Sequence, residues 1–121
     1  MSAPAWIAVA MLGAIGSLAR FLLDGAISAR AGGGFPLGTL AVNVSGALVF
    51  GLLVGIALSG QALTLAGSAT IGSYTTFSTW MFETHRLGED GRVLAAAANV
   101  IVSVAVGLGA ALLGRTIGAA L

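Results

Sequence analysis

The chain has 121 residues, of which 58% are hydrophobic and 7% charged, with a mean hydropathy of +1.06; soluble domains carry about a quarter charged residues, so this composition belongs to a membrane protein. All five of its basic residues are arginines, set against four acids for a net charge of +1, and no basic run of the kind that nucleic acid requires is present. With no cysteine, disulfides, zinc–thiolate clusters and thiol catalysis are excluded.

Four apolar segments follow one another: Ala5 to Leu23, Leu37 to Leu58, Ala62 to Phe82 and Val93 to Leu113. Each is close to the ~20 residues that cross a bilayer core. The opening "MSAPAW" has no positive flank before the apolar run, so the first segment is expected to be a retained span. The connections "DGAISARAGGGFP", "SGQ" and "ETHRLGEDGR" hold most of the charges and the Gly/Pro punctuation. The expectation is an all-α membrane protein, one four-helix domain over residues 1–121, with both termini on one side of the bilayer. Arg30, Arg86 and Arg92 flank the first and third connections against Arg115 on the other side, a small bias toward outward-facing termini.

In the first span, Arg20 lies near the helix end and is read as a snorkelling anchor or as a positive charge at the mouth of an anion vestibule. The second span carries Thr39 and Asn43 one helical turn apart, and "GLLVG" (Gly51, Gly55) has the small-residue spacing that lets membrane helices touch. An interhelical hydrogen bond is one reading of Asn43; donation from its amide to a permeating anion is the other. The third span contains "GSYTTFSTW", in which six hydroxyl side chains between Ser73 and Thr79 follow Gly72. Such a run is a poor helix, and irregular backbone at membrane depth is tolerated only where it is buried in protein or lines a wet cavity. A broken helix frees carbonyls for a cation and hydroxyls for an anion. Phe77 and Trp80 share a face and either pack together or turn ring edges toward an anion. Glu83 ends this span as an interfacial acid. In the last span Asn99 and Ser103 form a second polar stripe. No nucleophile with a base, phosphate loop or metal cluster is present, so the chain is not expected to be an enzyme.

Together "GAIGSLARF", "GTLAVNVSGALVFG" and "GSYTTFSTWMFE" resemble the Fluc, or CrcB, family of fluoride channels. The resemblance implies a multi-pass plasma-membrane protein that passively exports cytoplasmic fluoride and confers fluoride resistance. It further implies an antiparallel (dual-topology) dimer in which the third helix is broken and a structural sodium ion sits at the interface. By position, the backbone carbonyls of Gly72 and Thr75 would hold sodium. Asn43, Phe77, Ser78, Thr79 and Trp80 would line the pore, with Thr39 close by, Ser103 on a polar track and Arg20 at the vestibule. Glu83 matches a glutamate expected to be structural or gating. Two departures are visible: Trp80 stands where a second phenylalanine is usual, and Asn99 where a tyrosine is frequent. They raise the alternative of a subunit that pairs with an unlike homologue. Two further readings are a small multidrug exporter, which needs a membrane-embedded acid while Asp24 and Glu83 sit at span ends, and a non-transporting assembly subunit whose polar residues only join helices.

Overall fold

A computed structural model describes residues Met1–Leu121. It is entirely helical: α1 (Ala3–Ala31), α2 (Leu37–Gly55), α3 (Gly60–Leu63), a π-helical stretch (Thr64–Ile71), α4 (Gly72–Tyr74), α5 (Ser78–Glu89) and α6 (Val93–Ala120). Three of these, α1, α2 and α6, are long and apolar enough to cross a membrane.

Helix α1 starts where Ser2 Oγ accepts the Ala5 N–H at 3.4 Å, with Pro4 in the first turn, where its missing N–H costs nothing. It runs eight residues past the expected end of the first span and stops only at Gly32, whose φ of +73° suits glycine. The segment from Asp24 to Ala31, expected to be a connection, is therefore helical; its Asp24 and Ser28 are one turn apart and hydrogen bonded at 3.0 Å. The acidic connection after Phe82 is likewise mostly helix, because α5 continues to Glu89. At 29 and 28 residues, α1 and α6 are about 42–44 Å long, against a hydrocarbon core of ~30 Å. Their ends reach into or beyond the headgroups.

Helices α2 and α6 meet backbone to backbone. A Cβ added at Gly51 would strike the Ala111 carbonyl and one at Gly55 the Arg115 carbonyl, while Gly114 and Gly118 on α6 lie against the carbonyls of Leu48 and Leu52. Two glycine pairs at four-residue spacing thus interlock, the close approach through which dispersion forces join membrane helices. Gly16 of α1 lies against Ser73 and Thr70, and Gly46 of α2 against Thr75. These contacts clamp the third helical path between α1 and α2.

That path changes character along its length. The π-helical turn is one residue wider than an α turn, and Thr70 Oγ1 reaches back five residues to the Leu65 carbonyl at 2.8 Å. Gly72 itself is helical, with φ −61° and ψ −34°, so the helix does not break where the glycine suggests. The interruption comes at Thr75, whose ψ of 161° is extended, and α5 begins at Ser78.

Only 14 of 121 residues are buried, and Val42 and Asn99 are the largest fully buried side chains. Leucine, isoleucine and phenylalanine side chains along α1 and α6 lie exposed, an outer surface suited to lipid or to another chain. Substituting Gly51→Val is expected to force α2 off α6, at a cost of about 1–3 kcal/mol for an overpacked contact. Gly107→Ala, which meets nothing within 4 Å, should be neutral. Thermal unfolding in detergent checks both.

Candidate functional site

The site forms around the interruption at Thr75–Phe77. Asn43, on α2, turns its amide onto the backbone of Thr76: Nδ2 donates to the Thr76 carbonyl at 2.8 Å, and Oδ1 accepts the Thr76 N–H at 2.8 Å. One planar amide thus satisfies both polar groups of a non-helical residue that is itself buried. Of the two sequence-based readings of Asn43, the interhelical bond is the one seen, while the second amide hydrogen on Nδ2 remains unspent.

Thr76, which the sequence did not single out, organises the other side of the break. Its Oγ1 accepts the Thr79 N–H at 3.2 Å, donates to Thr79 Oγ1 at 3.2 Å and lies 3.4 Å from Ser78 Oγ. It caps the first turn of α5 from three residues upstream, as capping threonines do.

Each of these two arrangements withdraws a donor from a helical carbonyl. In an unbroken helix the Thr76 N–H would close on Gly72 and the Thr79 N–H on Thr75. Here the first N–H goes to Asn43 and the second to Thr76 Oγ1. The Gly72 and Thr75 carbonyls are left without those partners.

Much of the hydroxyl density is spent locally. Ser73 Oγ donates to the Ala69 and Thr70 carbonyls at 2.7 and 3.0 Å, and Thr75 Oγ1 to Ile71 at 3.1 Å, returning each proton to the preceding turn. Tyr74 and Ser45 join their hydroxyls across the α2 contact at 2.8 Å. Because Thr76 donates to Thr79, the Thr79 proton itself stays free; Thr79 is half-buried and Ser78 is exposed.

An open groove of about 500 Å³ flanks the break, lined by Asn43, Gly72, Thr75, Thr76, Phe77 and Trp80 among others. Phe77 is 70% exposed there and meets Trp80 edge to face, ring centroids 5.7 Å apart at 83°. The indole N–H is not open to the groove: Trp80 Nε1 donates to the Asn99 carbonyl at 3.0 Å. Asn99, 1% exposed, donates to Thr84 Oγ1 at 2.9 Å. The stripe of Asn99 and Ser103 is therefore divided, Asn99 binding α6 to α5 while Ser103 Oγ has no partner.

On the other side of Thr76, a polar hollow of about 230 Å³ gathers Arg20, Asp24, Thr39 and Thr79. Arg20 thus shares its hollow with a carboxylate, a weaker positive field than an unaccompanied arginine would give. Glu83 lies beside Thr39 and lines a further cavity of about 530 Å³ with Arg86 and Arg92. Three buried side-chain atoms have no hydrogen-bond partner: Thr39 Oγ1, Glu83 Oε1 and Ser103 Oγ. Buried polar atoms are nearly always paired; Thr39 and Glu83 lie close enough to pair with each other after a small shift, which leaves Ser103 Oγ as the atom that calls for water, an ion or a second chain.

Residues 7–115 match the family model described as CrcB-like protein, Camphor Resistance (CrcB). The chain belongs to the CrcB family. It is 56% identical over 110 residues to "Fluoride-specific ion channel FluC 2" of Mycolicibacterium paratuberculosis, covering 91% of this chain and 90% of that one. To the protein of the same name in Mycobacterium bovis it is 54% identical over 112 residues, 93% and 89% of the two chains. "Fluoride-specific ion channel FluC" of Geobacter sulfurreducens is 47% identical over 104 residues, 82% and 84%. As a CrcB family member the protein is an ion-channel chain and not an enzyme.

The Asn43 clamp carries a direct expectation. Asn43→Ala strands the N–H and C=O of Thr76 in a buried position, each costing about 1–3 kcal/mol. The variant should unfold at lower temperature than the parent in matched detergent, whereas Ser78→Ala, at an exposed hydroxyl, should change little.

Proposed function

We propose that this CrcB family member is a fluoride-selective channel subunit that passively releases cytoplasmic fluoride across the plasma membrane. One observation carries the reading: buried side-chain atoms of Thr39, Ser103 and Glu83 lack a partner, the first two at positions that the family resemblance sets along or beside the ion pathway and the third at its structural or gating acid. The relatives named as fluoride-specific channels support it.

Fluoride holds its water tightly, so a pore has to replace that shell with donors while keeping each site weak enough to release the ion. The unspent Asn43 amide hydrogen, the Thr79 and Ser78 hydroxyls and the edge of Phe77 supply donors of graded strength around one break. The exposed Phe77, the half-buried Trp80 and the open groove lie on the flank of the chain, and the interior encloses little space. The pathway therefore runs between two chains, here an antiparallel, dual-topology pair of multi-pass subunits in which the interrupted path 60–89 is the fourth crossing. Arg20 serves as the vestibule charge and Glu83 as a structural or gating acid. No acidic or basic side chain (Asp, Glu, His, Lys or Arg) lies among residues 72–82, which favours passive flow over proton exchange and speaks against the multidrug-exporter reading.

The residues fit a structural sodium ion. Hard cations take oxygen ligands, and the Gly72 and Thr75 carbonyls are among those that lose helical donors at the break. Doubled by a second chain, they would make a four-carbonyl site, and bound sodium would supply a fixed positive charge holding the two breaks together. Asn43 and Thr76 prepare that site by diverting the competing N–H groups.

A paired, unlike subunit is the second reading, favoured by Trp80. Its indole fills the position of the family's second phenylalanine and spends its N–H within the subunit, so it contributes ring surface and no new anion donor. Fluoride efflux from liposomes containing only this purified chain, with chloride as control, tests both. Selective fluoride efflux is expected, and it should fall when sodium is replaced by an organic cation throughout preparation. Folded protein that passes fluoride only after a homologous chain is added establishes the paired subunit instead. Folded protein that passes none under either condition defeats the channel reading.

A further inference from the structure

The Trp80–Asn99 contact belongs to a closed circuit. Trp80 Nε1 donates to the Asn99 backbone carbonyl at 3.0 Å, Asn99 Nδ2 donates to Thr84 Oγ1 at 2.9 Å, and Thr84 Oγ1 donates back to the Trp80 backbone carbonyl at 2.8 Å. Both ends of the circuit are Trp80, its side chain and its own backbone. Thr84 accepts with its oxygen and donates with its hydrogen, so each proton in the loop has one place to go.

We infer that Asn99 and Thr84 are positioning residues that fix the Trp80 indole and, through its edge-to-face contact, the orientation of Phe77 toward the groove. An exposed phenylalanine rotates readily about its side-chain bonds. Its one aromatic neighbour here is the Trp80 ring, 5.7 Å away, so the freedom of Phe77 depends on how firmly that indole is held. Asn99 is buried at 1% exposure, and a buried amide in a closed loop is rigid in a way that isolated pairs are not. The same turn of α6 holds Trp80 at two points: the Asn99 backbone carbonyl takes the indole N–H, and the Asn99 side chain holds Thr84 against the Trp80 carbonyl. The effect on flux rests on the channel reading above; the positioning does not.

The test uses protein carrying 5-fluorotryptophan, with Trp6→Phe leaving Trp80 as the single indole; Trp6 is exposed on α1, away from the site. Thr84→Val keeps the shape and breaks two of the three bonds, while Thr84→Ser keeps all three. In lipid nanodiscs the parent and Thr84→Ser should give one narrow fluorine resonance, and Thr84→Val a broadened or split one. Fluoride efflux through Thr84→Val should slow roughly three- to tenfold, the scale of one or two membrane-protein hydrogen bonds, with Thr84→Ser restored. A Thr84→Val resonance as narrow and as placed as the parent's overturns the inference whatever the flux. If no variant or parent passes fluoride yet Thr84→Val still broadens the signal, the positioning stands and the channel reading falls. Should Thr84→Val not fold, Asn99→Leu, near in size and lacking the amide donor, takes its place with the same two outcomes.

Discussion

The double hydrogen bond between the Asn43 amide and the Thr76 backbone is the contact on which the rest of the site depends. A helix cannot simply stop at membrane depth, since each unpaired N–H or C=O left in hydrocarbon costs several kcal/mol. Asn43 takes both groups of Thr76, the middle one of the three non-helical residues Thr75–Phe77. Thr76 then caps α5 with its side chain, and the chain resumes as helix only two residues later. The same two captures withdraw the donors that would have closed on Gly72 and Thr75. An interruption, its repair and a pair of free carbonyls arise from one amide and one hydroxyl.

This arrangement requires a rigid frame, which the glycines provide. Interlocked glycine pairs bring α2 onto α6, and Gly16 and Gly46 let α1 and α2 close on the two sides of the interrupted path. Because α2 is fixed at both Gly46 and Gly51, Asn43 is presented to Thr76 from a backbone that has little freedom to withdraw. On the far side, the Trp80, Asn99 and Thr84 circuit joins α5 to α6. The break is thus bound to both α2 and α6, while its aromatic pair faces outward along the groove. A chain built this way presents an open groove beside the break, lined by Asn43, Thr76, Phe77 and Trp80, while Ser103 Oγ stays buried without a partner.

Much of this was legible in the sequence, because hydropathy and small-residue spacing report directly on what a membrane demands. The three long apolar helices, the contact face at Gly51 and Gly55 and the disturbed helix around "SYTTFSTW" follow from those demands. The position of the break did not: Gly72 is helical, and the chain departs at Thr75, where a partner 33 residues away offers better bonds than the helix does. Such a pairing leaves no local signature. Thr76 was hidden among equivalent hydroxyls, although its spacing of three from Thr79 is the signal of a cap. Asn99 was seen as a polar stripe with Ser103, yet its side chain turns to α5, a choice made by the neighbour that Thr84 supplies. The helical ends of α1 and α5 were taken for connections because charge and glycine there resemble loops, whereas alanine-rich and (i, i+4) bonded turns keep the helix intact outside the bilayer core.

The central claim is that backbone amides at the break are held by side chains, and amide hydrogen exchange in lipid nanodiscs addresses it residue by residue. The account predicts that Thr76 N–H and Thr79 N–H exchange slowly, as slowly as amides within α5, although neither has a helical carbonyl to bond. Rapid exchange of Thr76 at a rate typical of a free loop, in protein whose α2 and α6 amides remain protected, would contradict it.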